Sequence, residues 1–133
     1  MEKTTNYQLN KPEAGDPLRV ADFNENADII DAVLGNLGVS VPKIAIGSYV
    51  GTDASGSSNP NILTFDFAPQ ALFVWGNYDH AQGVRDQKVY VHLDGTSHRC
   101  TTMWNGNTVQ WYAGLPAYQM NNAEETYCYL AIG

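Results

Sequence analysis

From Lys43 to the end of the chain, seven short runs rich in β-branched and aromatic residues follow one another, each closed by Gly, Asn, Asp, Ser or Pro and none followed by a helical period: Lys43–Val50, Ile62–Phe67, Ala71–Tyr78, Lys88–Leu93, Arg99–Trp104, Thr108–Tyr112 and Thr126–Ile132. Strands that follow one another without crossover helices pair antiparallel. The expected fold is therefore all-β, an antiparallel β-sandwich of about six or seven strands, with a barrel as the other closed solution. In Ile62–Phe67 the residues Leu63, Phe65 and Phe67 alternate with Ile62, Thr64 and Asp66, which predicts one buried and one half-polar face. The last run places Cys128, Leu130 and Ile132 on one face and Tyr127, Tyr129 and Ala131 on the other. A tyrosine face is wetter than a core, so it reads as an interface. The long connections Gly51–Asn61, Asp79–Gln87 and Ala113–Glu125 are where binding residues would gather.

Residues 1–42 are a different material, and the chain divides into a segment over 1–42 and a β domain over 43–133. Up to Val20 there is no sustained period, only the apolar pegs Tyr7, Leu9, Leu18 and Val20 between Pro12, Gly15 and Pro17. This predicts an extended arm that orders only against a partner surface. Asp22 followed by Glu25 has the spacing of a capping box, and predicts a helix from Phe23 to Asn36. Phe23, Ala27, Ile30, Val33, Leu34 and Leu37 share one arc of it, with Glu25, Asp28 and Asp31 opposite. That arc must be covered, either by the β domain or by copies of itself. For copies, Phe23, Asn26, Ile30, Val33 and Leu37 form a 3–4–3–4 seam in which a polar Asn26 would set register or oligomer state. The unpaired arc and the tyrosine face together lead to the expectation of a homotrimer.

The 14 acidic and 7 basic residues give a net charge of −7, so a phosphate backbone is repelled and nucleic acid is not an expected partner. No run approaches the 18 or more apolar residues of a membrane span, and the start lacks the regions of a signal peptide, so synthesis in the cytoplasm is expected. Cys100 and Cys128, set in strand-like runs without a CxxC clip, read as reduced, buried small residues.

Catalytic constellations are absent from the spacing: there is no G-x-S-x-G elbow, H-E-x-x-H, phosphate loop or calcium loop. The expectation is a non-enzyme with no cofactor and no metal site. His80, His92 and His98 read as solvated or hydrogen-bonded. Asp94-Gly95 reads as a tight turn, and Asp66 as an exposed strand residue. The aromatics carry more information, because sugar sites set aromatic rings against the apolar faces of pyranoses and flank them with amides and carboxylates. Trp75, Trp104, Trp111, Tyr78, Tyr90, Tyr112 and Tyr118 concentrate in the second half, with Asn77, Asp79, His80, Asn105, Asn107 and Gln110 as flanks. Trp75 reads as core, while Trp104 and Trp111, bordering the Asn105–Asn107 turn, stay open between core and ligand platform. The candidate ligand-binding set is Tyr78, Asp79, His80, Trp104, Asn105, Asn107 and Trp111. The connections Asp79–Gln87, Asp94–His98 and Asn105–Asn107 are expected to gather at the end of the sandwich away from the N-terminal arm.

Asn6-Tyr7-x-Leu9 with Pro12, then Val20-Ala21-Asp22-Phe23-Asn24-Glu25-Asn26 and Ile30-Asp31-Ala32, resembles the N-terminal attachment segment of tail proteins from phages and prophages of Gram-positive hosts. Gly47-Ser48-Tyr49-x-Gly51, the step Phe65-x-Phe67-x-Pro69 into Ala71–Trp75, and the closing Tyr127–Gly133 look like a tip domain of the same setting. The last two are also similar to the trimeric H-type lectins, although Tyr129 stands where those usually carry tryptophan. The resemblance implies a tail-tip or tail-fibre protein of the virion, docked to other tail or baseplate proteins through residues 1–42 and binding a host cell-surface glycan. The alternative it leaves is a structural adapter or decoration protein of the baseplate, collar or head fibre that touches no sugar.

Overall fold

The computed structural model describes residues 1–133, which fall into two compact units, Met1–Val41 and Pro42–Gly133.

In the first unit, β1 (Glu2–Lys3) and β2 (Asn10–Lys11) form a small antiparallel hairpin, and α1 runs from Val20 to Ser40. The arm therefore orders on its own chain and not only against a partner. Asn10 is the reason. Its backbone N–H donates to Asn26 Oδ1 at 2.6 Å, the Asn26 amide donates back to Asn10 O at 3.0 Å, and Asn10 Nδ2 donates to Glu25 Oε2 at 2.7 Å. Asn26 thus spends its amide on β2, which removes it from the expected seam as a free register-setting residue. Glu25, expected to close a capping box, instead faces Asn10 and Lys3, and these two donors hold its carboxyl below the usual range. Asp22 is not the N-cap: Arg19 holds that position with no side-chain cap, and Asp22 lies in the first turn. The helix also runs past Gly35 and Gly38, because a helical glycine costs only about 1 kcal/mol relative to alanine, whereas Pro42 disfavours further turns. None of its residues is buried. Phe23, Ile30 and Leu37 stay exposed and Val33 is half-buried.

The second unit is the expected antiparallel sandwich. Its strands are β3 (Ile44–Val50), β4 (Asn61–Thr64), β5 (Ala71–Trp75), β6 (Asp79–Val84), β7 (Tyr90–Leu93), β8 (Thr96–Arg99), β9 (Thr101–Asn105), β10 (Thr108–Tyr112) and β11 (Thr126–Ile132), with a 3₁₀ turn at Pro116–Gln119. A six-stranded sheet in the order β3-β11-β5-β6-β7-β8 faces a three-stranded sheet β4-β10-β9, and every pairing is antiparallel. Leu72, Val74, Ala81, Val91, Tyr127 and Ala131 from the larger sheet share one core with Val109 and Trp111 from the smaller, closed by Phe65, Phe67, Cys100 and Met120.

Two expected connections are strands. Asp79–Val84 is β6: Asp79, Ala81 and Gly83 point inward, and the small residues hid the alternation from a hydrophobicity reading. Gly83 carries no side chain because a Cβ there would stand 2.8 Å from Val89 Cγ2 and 3.1 Å from the Trp104 ring. Asp94 and Gly95 do make a tight turn, both at positive φ (51° and 76°), but the residues after it are β8 and not loop. The Arg99–Trp104 run breaks at Cys100, which separates β8 of one sheet from β9 of the other.

The faces of β11 are reversed from the expectation. Tyr127 and Ala131 are fully buried and Tyr129 packs on the same core, while Cys128 is exposed rather than buried. Tyrosines can face inward because their hydroxyls reach polar partners. Tyr127 donates to Glu125 Oε2 at 2.9 Å and accepts from Asn122 N at 3.1 Å, and its ring stacks on Tyr49 at 5.2 Å. Gly47 on β3 leaves the space that the Tyr129 ring occupies.

Candidate functional site

The register fixes which turns share an end. Lys43 and Gly133 exchange two 2.8 Å backbone bonds, marking the entry end. Val50, Thr126, the β5–β6 turn and the Asp94-Gly95 turn lie at the other end.

The residues expected to form one ligand site do not meet. Tyr78, 86% exposed, tops the β5–β6 turn at the far end. Asp79 is buried at the start of β6. His80 lies on the outward face of the six-stranded sheet, stacked on His92 at 4.8 Å. Trp104 is half-buried beneath Gly83 and donates its indole N–H to Gln87 O at 2.8 Å. Asn105 and Asn107 are exposed, but their turn belongs to the entry end: Gly106 O accepts from Arg85, which also donates to Pro69 O, and Phe65 N donates to Asn107 O. Trp111 is fully buried and donates to Gln119 O at 3.0 Å, so it is core and no platform. The two ends of the sandwich thus separate Tyr78 from the Asn105–Asn107 turn.

The far-end loops are pinned by buried amides. Gln119, fully buried, accepts from Ala113 N and Gly56 N and donates to Asn59 O and Asn61 Oδ1. Asn121 holds Thr52 and Ala54 in the same way. A depression of about 300 Å³ beside this network is lined by Tyr49, Asn61 and Asn121, whose polar groups are already engaged with one another and with the backbone.

A different opening has side chains that are mostly unengaged, although Ser97 Oγ there is bonded to His92 Nδ1 at 2.8 Å. Where edge strand β8 of the large sheet meets β9 and the end of β10, a cleft of about 450 Å³ is lined by Ser97, His98, Arg99, Thr101, Tyr112 and Tyr118, with Gly56, Ala113 and Gly114 as a small-residue floor. His98 and Tyr118 lie ring on ring at 3.9 Å with 10° between planes, and the Cys100 thiol donates to Tyr118 O at 3.2 Å, fixing the turn that carries the tyrosine. Arg99 is exposed and has no carboxylate partner, since all three ion pairs belong to the first unit. The cleft therefore offers aromatic faces beside hydroxyls and a free guanidinium. Tyr112 and Tyr118 stood among the sequence's informative aromatics, and Ser97 and His98 lay in the connection Asp94–His98 expected at the binding end, but Arg99 carried no signal, because its neighbourhood depends on the passage of the chain between sheets at Cys100.

One carboxyl pair is perturbed. Burial, and then the nearby Glu125, push Asp79 up to about 6, and its Oδ1 has no hydrogen-bond donor. Gly76 lets the two groups close in: a Cβ there would collide with Asp79 Oδ1 and lie 2.8 Å from Glu125 Oε1. Glu125 moves the other way. Partial burial works against it, but the Asn77 N–H, the Tyr127 hydroxyl and the Asn122 amide hold its carboxyl below the usual range. Neither residue lines the cleft.

No group of three or more His, Cys, Asp or Glu side chains is placed to hold a metal ion, and no helix is long and apolar enough to cross a membrane. Comparison with protein-family models, with curated proteins and with solved structures finds no match to this chain.

Proposed function

We propose that this chain is a phage tail-tip or tail-fibre receptor-binding protein, incorporated into the virion through its N-terminal segment and recognising a host cell-surface glycan in the cleft between β8 and β9. The cleft carries the reading. It is open, as a site for a polymer on a surface must be, and it sets the faces of Tyr112 and the His98–Tyr118 stack beside Thr101 and an unpaired Arg99. Rings against the C–H faces of a sugar, with hydroxyl and guanidinium donors for its oxygens, are the usual division of labour at such sites. The division of the chain into a polar-stitched first unit and a separate sandwich supports the attachment half of the reading. Weak single sites suffice, because many copies on one particle raise the effective concentration.

The adapter alternative draws on one observation: the far-end loops are locked by Gln119 and Asn121 and so cannot remodel around a ligand. Binding of the purified chain to host cell-wall polysaccharide separates the two. Arg99→Ala should weaken binding about tenfold or more with no change in melting temperature, since the side chain is exposed and makes no hydrogen bond or ion pair within the chain. Absence of any polysaccharide binding by the wild-type chain would favour the adapter.

A further inference from the structure

Two of the chain's three histidines stand directly opposite one another on the outward face of the six-stranded sheet. His80 on β6 and His92 on β7 are cross-strand partners, and their rings lie 4.8 Å apart between centroids with 21° between planes. The same row continues in both directions: Trp75 is opposite His80, Cys128 is opposite Trp75, and Ser97 is opposite His92. His80 is exposed and makes no side-chain hydrogen bond, while His92 is half-buried and its Nδ1 meets Ser97 Oγ at 2.8 Å. Two imidazoles at opposite positions repel whenever both are protonated, as any like charges do there. A cation that accepts a lone pair from each ring removes that repulsion, because the imidazole that binds a metal is the neutral one.

We infer that His80 and His92 form a binding site for a divalent transition metal ion of the class of Zn²⁺, Ni²⁺ and Cu²⁺. The separation fits such an ion. Two imidazoles on one metal, with bonds of about 2.0–2.1 Å to nitrogen and an angle between about 90° and 109°, have centroids about 4.5–5.2 Å apart. Rotation about χ2, which is soft for histidine, turns each ring about an axis through its centre and so swings the nitrogens towards one ion with little change in that separation. Ser97 supplies the outer partner that a metal-bound histidine ordinarily has: in the tautomer where Nδ1–H of His92 donates to Ser97 Oγ, the lone pair that faces the ion is on Nε2. Donor type then selects the metal. Imidazole nitrogen suits zinc, copper and nickel, and a row without a carboxylate gives Ca²⁺ or Mg²⁺ no oxygen set. With two protein donors, the other coordination positions go to water or to an oxygen of an incoming ligand. The inference does not depend on the glycan reading, because neither histidine lines the β8–β9 cleft.

Calorimetric titration of the full chain with Zn²⁺ alone tests it. The wild type should bind one ion per chain. His80→Gln and His92→Gln should each abolish that binding and keep the β-sheet circular dichroism, and His80→Gln, at the exposed position, decides the matter if His92→Gln does not fold. Ser97→Ala should weaken the binding about tenfold. Cys128→Ser should bind as the wild type does, which separates the histidine pair from the exposed thiol two strands away. In a labelled chain, Ni²⁺ should broaden the amide signals of His80 and His92 before any others. No saturable binding by the wild type up to millimolar Zn²⁺, binding that survives both histidine substitutions, or binding that disappears with Cys128 would overturn the inference.

Discussion

The two units are held together by opposite means. In Met1–Val41 the only buried residue is Asn10, and the unit depends on the Asn10–Asn26 exchange and on three exposed ion pairs, Met1–Asp16, Lys3–Glu25 and Lys11–Glu2. In Pro42–Gly133 there is no ion pair, and an apolar core takes in both sheets. Exposed ion pairs contribute about 0–1 kcal/mol each and an unburied helix gains little beyond its own propensity, so the first unit has shape but small stability of its own. The second has the burial that makes a cooperative domain. On the function proposed above, shape without burial suits an attachment segment, and burial suits a tip that must keep a cleft in one geometry.

The largest expected effect tests the core. Trp111→Ala should cost about 3–5 kcal/mol, by cavity formation and by removing one of the two donors to Gln119 O, and so melt or unfold the sandwich by calorimetry. Asn26→Ala is the matching change in the first unit. It should leave the main melting transition in place while amide exchange at Asn10 and Lys11 accelerates at least tenfold. A large loss of sandwich stability from Asn26→Ala would break the contrast between the units.

A smaller effect concerns Asp79. Its folded value of about 6 lies above the ordinary 3.8, so the folded state binds the proton more tightly than the unfolded state does. The stability from this group is fully present below pH ~4 and is lost as the pH rises through about 6. Asp79→Asn removes the charge and can donate to Glu125 Oε1. It should therefore stabilise the protein by about 1–2 kcal/mol at pH 7 and by little at pH 4. Thermal melts of both proteins across that range check it, and equal shifts at both pH values would mean that Asp79 is solvated.

How much of this was legible in the sequence differs along the chain. Strong alternation gave the sandwich, the inward Leu63, Phe65 and Phe67 and the Asp94-Gly95 turn, because there the period and the turn chemistry agree. β6 was hidden, since its inward positions are Asp79, Ala81 and Gly83, the last bare to make room for Trp104 and Val89. The faces of β11 were misread because hydropathy does not register that Glu125 and Asn122 satisfy the Tyr127 hydroxyl or that Gly47 on the neighbouring strand leaves room for the Tyr129 ring. The ligand set failed for a topological reason. Tyr78 and the Asn105–Asn107 turn are both polar and aromatic-flanked, but only strand register tells which end of a sheet a turn occupies. Asn26 had the spacing of a seam residue, and its engagement with Asn10 is a contact of 16 residues' separation that no local period encodes.

The central claim, that the sandwich binds glycan in the β8–β9 cleft, is tested most directly by amide chemical-shift mapping of the full chain titrated with oligosaccharides released from the host cell wall. The account predicts saturable shifts confined to Ser97–Thr101, Tyr112–Gly114 and Tyr118. Shifts centred on Tyr78 or on the Asn105–Asn107 turn, or no shifts at millimolar sugar, would contradict it.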